Sequence, residues 1–350
     1  MYKLKQTCED FVVEEIPDFD NSSLNQESGK FICLKLTKKD WNTVSAVREL
    51  SKVLGVSNKD VNFAGTKDKN AVTVQYMSVR NNKGGLKSKF PLNLPVGLEV
   101  EFVGFIDEQL SLGSLIGNKF EIVVRNLGDE EKLVASNYFV NYFDEQRFSK
   151  NNVAIGKAII LKDFKKAASL VDDRKVKEQL SDCRTDYLKA LLCLPKKILM
   201  LYIHSYQSYL WNETVSRYLL KEYSVDQKLL DYSQGKLVFA DEKVMKELGN
   251  LKIPLVGALP LDSSLPETVK KIIGELLLEE GISRFDFIIK QLPNMTPEGG
   301  MRSLVAKISS LNISTRENDE LNSGFEKQKL EFVLNKGSYA TMAIKFLIQN

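Results

Sequence analysis

The chain has 350 residues, of which 43% are hydrophobic and 27% charged. That balance belongs to a globular protein long enough for two domains, and it excludes disordered and fibrous classes. A formal net charge of +3 gives no global attraction for nucleic acid, so any basic surface has to be local.

In chain order, residues 31–37 alternate apolar and polar side chains, as a half-buried strand does. Asn42 and Thr43 are capping residues ahead of an apolar stripe at Val44, Val47, Leu50 and Leu54, which predicts a helix. Residues 61–64 and 73–79 read as strands bracketing a short polar loop. Residues 80–89 carry Arg80, Lys83, Lys87 and Lys89, the pair Gly84-Gly85 and no acid. They fit either a solvated loop or a contact for RNA phosphates. Residues 120–124 are a further strand, residues 199–223 one long amphipathic helix and residues 267–280 a second helix. Strands return at 304–308 and 330–334, followed by a short terminal helix. Strands at both ends with helices between predict an α+β domain interrupted by an insertion.

Several chemistries are set aside by elimination. There is no GxxxxGK[ST] phosphate loop and no GxGxxG after a strand. His204 is the only histidine and sits within the long helix, so two-histidine mechanisms are excluded and a structural role is expected for it. Cys8, Cys33, Cys183 and Cys193 lack CxxC spacing, which argues against a usual zinc site and suggests buried thiols in a reducing compartment. No signal peptide and no apolar run of about 20 residues is seen, so a cytoplasmic protein is expected.

Three constellations could carry chemistry. In Gly65-Thr66-Lys67-Asp68-Lys69-Asn70, Asp68 has a lysine on each side. Flanking cations stabilise the charged carboxylate and attract a phosphate backbone; read alone, the segment also fits a polar turn with a surface Asp. In Gly117-Asn118-Lys119-Phe120, the Asn suits the edge of a base and the Phe its face, though a turn Asn followed by a core Phe fits equally. Tyr202, Tyr206 and Tyr209, followed by Trp211 and Arg217, form an aromatic helix face of the kind that usually packs a core.

Together these segments carry a resemblance. The block Phe63-Ala64-Gly65-Thr66-Lys67-Asp68-Lys69-Asn70-Ala71-Val72-Thr73-Val74-Gln75 closely resembles the signature of the TruD family of tRNA pseudouridine synthases. Residues 10–15 resemble its N-terminal strand, residues 141–148 its NYFGxQRFG block, residues 207–212 its QSYLFN helix and residues 336–341 its GS[YF]AT block. The resemblance runs over nearly the whole chain. It departs where Gln109, Ser111 and Ile116 stand in place of basic residues, and where Asn335 and Lys345-Phe346 replace Pro and Arg-Glu.

The resemblance implies a catalytic α+β domain with a mixed, largely antiparallel sheet at 1–137 and 308–350, interrupted by an inserted α/β domain at 138–307. It implies a monomer that receives tRNA in a cleft between the two and converts one uridine, that at position 13, to pseudouridine without a cofactor or metal. It makes Asp68 the catalytic aspartate, Lys5 a basic residue lining the site, and Asn118 and Phe120 the residues that hold and stack the target base. Lys67 and Lys69 are expected to help bind the RNA. The alternative left open is a catalytically silent RNA-binding or chaperone protein on the same fold.

Overall fold

The computed structural model describes residues 2–20, 24–82, 84–149, 151–223 and 228–349. It divides into two compact units, one of residues 1–137, 307–340 and 347–350, the other of residues 138–306 and 341–346.

The first unit is built on one sheet. Its strands are β1 (Phe11–Pro17), β2 (Phe31–Lys39), β3 (Val61–Phe63), β4 (Val72–Arg80), β5 (Leu98–Ile106) and β6 (Leu115–Leu127), joined late in the chain by Val305–Ile313 and Glu326–Asn335. The order is β5-β2-β4-β1-β6, then Glu326–Asn335 and Val305–Ile313, with β3 alongside β4. Among the described residues of this unit, β1 and β4 are parallel, with Val12 opposite Val72, and the other ladders in that order are antiparallel. The fold is therefore α+β, with the mixed, largely antiparallel sheet that the sequence leads one to expect.

One helix, α1 (Thr43–Leu54), covers a face of this sheet. Asn42 caps it by accepting from the Ser45 N–H at 2.8 Å, and Gly55 ends it in the left-handed conformation with φ 67. Its buried side is Ala46, Val47, Leu50 and Leu54, packed on Ile32, Leu34 and Leu36 of β2 and Met77 and Val79 of β4. Each large aliphatic buried here contributes about 1.5–3 kcal/mol. Val44, expected in the stripe, is exposed. The buried arc is Thr43, Ala46, Val47, Leu50, Ser51 and Leu54, and at 3.6 residues per turn Val44 falls at its outer edge.

The second unit is organised by the helix Lys196–Glu222. It is not the amphipathic helix expected, because residues 205–208, 210–212, 214–216 and 218–219 are all buried. Ser205, Gln207, Ser208, Asn212, Thr214 and Ser216 go inward and are hydrogen-bonded there. Asn212 exchanges two 3.0 Å hydrogen bonds with the Phe143 main chain, Gln207 donates to the Val256 carbonyl at 2.7 Å, and the Trp211 ring N–H donates to that of Ile253 at 3.1 Å. The tyrosine face packs as well: Tyr206 and Tyr209 stack and both donate to Glu280, at 2.9 and 3.2 Å. His204 is exposed on this helix.

The four cysteines are free thiols, but only Cys33 is buried, and burial pushes its thiol up to about 12. Cys183 is exposed, because it ends a short surface helix rather than lying in a core strand. Among the described residues no helix is long and apolar enough to cross a membrane.

Candidate active site

The loop of residues 64–71 joins β3 to β4 and carries Asp68. Four side chains from neighbouring elements hold it. Gln75 donates to the Gly65 carbonyl at 3.2 Å, and its own carbonyl oxygen accepts from the Thr43 hydroxyl at 3.2 Å. Thr43, the first residue of α1, accepts from the Lys67 N–H at 3.0 Å. The Lys38 ammonium donates to the Asp68 carbonyl at 2.6 Å. Glu15 of β1 takes the Lys67 ammonium at 2.5 Å and accepts the Tyr76 N–H at 3.2 Å with its other oxygen. A loop anchored at this many points holds its remaining side chain in a narrow range of positions.

That side chain is Asp68. It is 37% exposed and forms an ion pair with Lys5. Lys5 arrives on an N-terminal arm with a left-handed backbone, φ 56, a conformation that a non-glycine residue holds only where its surroundings impose it. A clamp holds the arm just before it. The Lys3 main chain bridges to that of Arg125 at 2.8 and 3.0 Å. The Arg125 guanidinium reaches Asp10 and Asp319, both at 2.8 Å, and the Lys3 ammonium reaches Asn322 at 2.6 Å. The Lys5 ammonium also lies 4.1 Å over the ring of Phe11, a cation–π contact that steadies it beside Asp68.

Below this pair lies an aromatic row across three strands: Phe11 on β1, Phe120 on β6 and Phe332 on Glu326–Asn335. Phe120 stacks on Phe332 with ring centroids 5.4 Å apart and meets Phe11 edge-on at 6.2 Å. On the same strand, the side-chain oxygen of Asn118 is buried and accepts no hydrogen bond from the described residues. A buried acceptor without a donor is costly, and it marks a place where an incoming donor gains.

The comparisons with known proteins bear on the family of the chain. The profile of the TruD family, described as tRNA pseudouridine synthase D, matches residues 2–172 and 168–346. The chain belongs to the TruD family of tRNA pseudouridine synthases. A tRNA pseudouridine synthase D from Aquifex aeolicus is 30% identical over 397 residues, which cover 99% of this chain and 97% of the relative. A relative from Nanoarchaeum equitans, named for the same family, is 31% identical over 401 residues, covering 99% and 98%. A crystal structure of a TruD-family chain from Methanosarcina mazei superposes with a TM-score of 0.68 at 27% identity, covering 98% of this chain and 92% of that one.

The structure brings Lys5 to Asp68, although 63 residues separate them. Lys69 stays at the surface, 3.7 Å from Asp40. Lys67 departs from its expected place beside substrate: its side chain is 8% exposed and spent on Glu15. Phe120 is 6% exposed, which leaves the rim of the aromatic row, rather than an open ring, as its surface. Of the cations in residues 80–89, Lys83 lies outside the described residues. Lys89 donates to the Leu54 carbonyl at 2.5 Å, Lys87 to that of Gln26 at 2.7 Å, and Arg80 stands 3.6 Å from Asp60. These three are engaged with the protein itself.

Sequence reading missed Glu15, Lys38, Thr43 and Gln75 as parts of the site. One of them left a signal: residues 32, 34 and 36 are the buried apolar phase of β2, and Lys38 continues that phase with a charge.

Proposed function

We propose that the chain isomerises a uridine of tRNA, by family resemblance that at position 13, to pseudouridine at the Lys5–Asp68 pair, with Asp68 as the catalytic carboxylate. The observation that carries this reading is a part-exposed carboxylate on a loop pinned through its main chain, with a cation held against it. The reaction breaks N1–C1′, turns the uracil and joins C5 to C1′, so product and substrate have the same composition and no redox partner enters the balance. A carboxylate can serve it as nucleophile or base. Lys5 steadies the charge on Asp68 until the nucleoside arrives.

The uracil must leave its stack to be reached. The free oxygen of Asn118 suits the uracil N3–H, which supplies the donor this buried acceptor lacks. The rim of the row containing Phe120 would receive the base. Lys69, exposed and in a weak surface pair, is free to exchange Asp40 for an RNA phosphate, whereas Lys67 supports the loop. The free thiols fit a reducing compartment, and we read the protein as a cytoplasmic monomer.

The test is pseudouridine formation in a tRNA transcript by wild type and Asp68→Asn. The variant is nearly isosteric and should bind RNA with no turnover. Pseudouridine from purified Asp68→Asn would remove the catalytic assignment.

A further inference from the structure

Lys38 is fully buried on the side of β2 that faces α1, in line with Ile32, Leu34 and Leu36. An ammonium in such a place is strongly disfavoured unless it is hydrogen-bonded. Its Nζ lies 2.6 Å from the Asp68 carbonyl oxygen and 3.5 Å from that of Lys67. With Thr43 on the Lys67 N–H and Gln75 on the Gly65 carbonyl, the loop is gripped at residues 65, 67 and 68. The strongest of these grips, a charged donor, falls on the residue whose side chain meets Lys5. An apolar side chain could fill this volume but could not bond the carbonyls, and a charged donor bonds them more strongly than a neutral one.

We propose that Lys38 is a positioning residue for the isomerisation, fixing the Asp68 main chain so that its carboxylate is presented to Lys5 and the reacting nucleoside. The inference rests on the assignment of Asp68 above. The titratable groups around the Lys38 ammonium are Asp68, Lys67 and Cys8; Thr43 and Gln75 beside them are neutral. Burial pushes the ammonium down to about 8, assisted by the Lys67 charge and opposed by Asp68 and Cys8. The charge, and with it the strong grip, is complete well below that pH and fades above it.

The experiment measures single-turnover rate and RNA affinity across pH for wild type, Lys38→Met and Lys38→Arg, with thermal unfolding of each. Lys38→Met should be slower by roughly 100-fold, the scale of a catalytic group displaced by about 1 Å, with RNA affinity within a few-fold of wild type. Lys38→Arg, which cannot lose its charge, should recover much of that rate and hold it where wild type declines above about pH 8. A Lys38→Met rate equal to wild type would overturn the proposal. So would a Lys38→Arg pH profile that falls together with wild type, and that comparison decides the matter even where Lys38→Met does not fold. Wild type that makes no pseudouridine would sink the isomerase reading itself, a result distinct from either of these.

Discussion

At the scale of single residues, Phe120 is a core side chain whose proposed second role, as a platform for the base, can be tested apart from the first. Its ring is packed between Phe11 and Phe332, so Phe120→Ala removes a buried aromatic and should destabilise the first unit by about 3–5 kcal/mol. Phe120→Leu separates the two roles, because it keeps most of the volume and loses the planar face. Its unfolding temperature should stay within a few degrees of wild type. Its single-turnover rate should fall in proportion to lost base stacking, ~1–3 kcal/mol or very roughly 5- to 150-fold. A Phe120→Leu enzyme at full rate would leave Phe120 with the core role alone. Asp68 stood out in the sequence as a carboxylate between two lysines, but those residues alone fitted a surface turn equally, and its proposed catalytic role came from the resemblance. Lys5 was reached only by resemblance. The pairing of Lys67 with Glu15 was not legible at all, since the partner lies 52 residues away and nothing local records which side of the loop a lysine leaves from.

At the scale of elements, the loop of residues 64–71 depends on a buried charge pair. Glu15 and Lys67 are both almost wholly withdrawn from water, so removing one leaves the other uncompensated. Glu15→Ala should cost about 3–5 kcal/mol in urea unfolding, while the double change Glu15→Met with Lys67→Met should restore most of it. A double variant that loses as much as Glu15→Met and Lys67→Met added together would show that the pair is not coupled. Helix α1 raises a separate point. Lys89 donates to a carbonyl of its last turn, where a cation also meets the negative end of the helix dipole. Lys89→Gln should therefore loosen the helix by about 0.3–1 kcal/mol and leave the salt dependence of RNA binding unchanged. A shallower salt slope in that variant would return this segment to the RNA interface. Helix α1 and the strands at 31–39, 61–63 and 72–80 were legible from periodicity, but β5 and the four helices between Asn152 and Leu192 were not read, and the long helix of the second unit was read as a helix with the wrong faces. There, buried Ser, Thr, Asn and Gln read as a solvent face, because a sequence does not show where their hydrogen bonds go.

At the scale of the whole molecule, the Arg125 clamp couples the N-terminal arm to residues near the end of the chain. Burial raises the Asp319 carboxyl, but hydrogen bonds from the Asn126 N–H, Asn322, the Leu321 N–H and Arg125 outweigh it and hold the group down at about 2. A carboxyl lowered on folding stabilises the fold above its unfolded range, and that contribution is lost as pH falls through the folded value. Unfolding midpoints should therefore decline between about pH 4 and pH 2, and Asp319→Asn should flatten that decline while lowering stability at neutral pH. An acid limb identical in the two proteins would mean that the clamp plays no part in it.

The sheet register carries a consequence for how the chain is made. Strand β6 ends at Leu127, and its antiparallel neighbour begins at Glu326, 199 residues later by subtraction. Phe120 and Ile122 face Phe332 and Leu330 across that ladder. At ~5–20 residues per second on the ribosome, the β6 edge waits ~10–40 s for its neighbour. Throughout that interval a long strand bearing Phe120, Ile122 and Val124 lacks its mate, the circumstance in which edges pair with other chains. Slow translation of the middle of the message would lengthen this exposure, and nascent chains stalled before residue 326 should be the ones that chaperones hold.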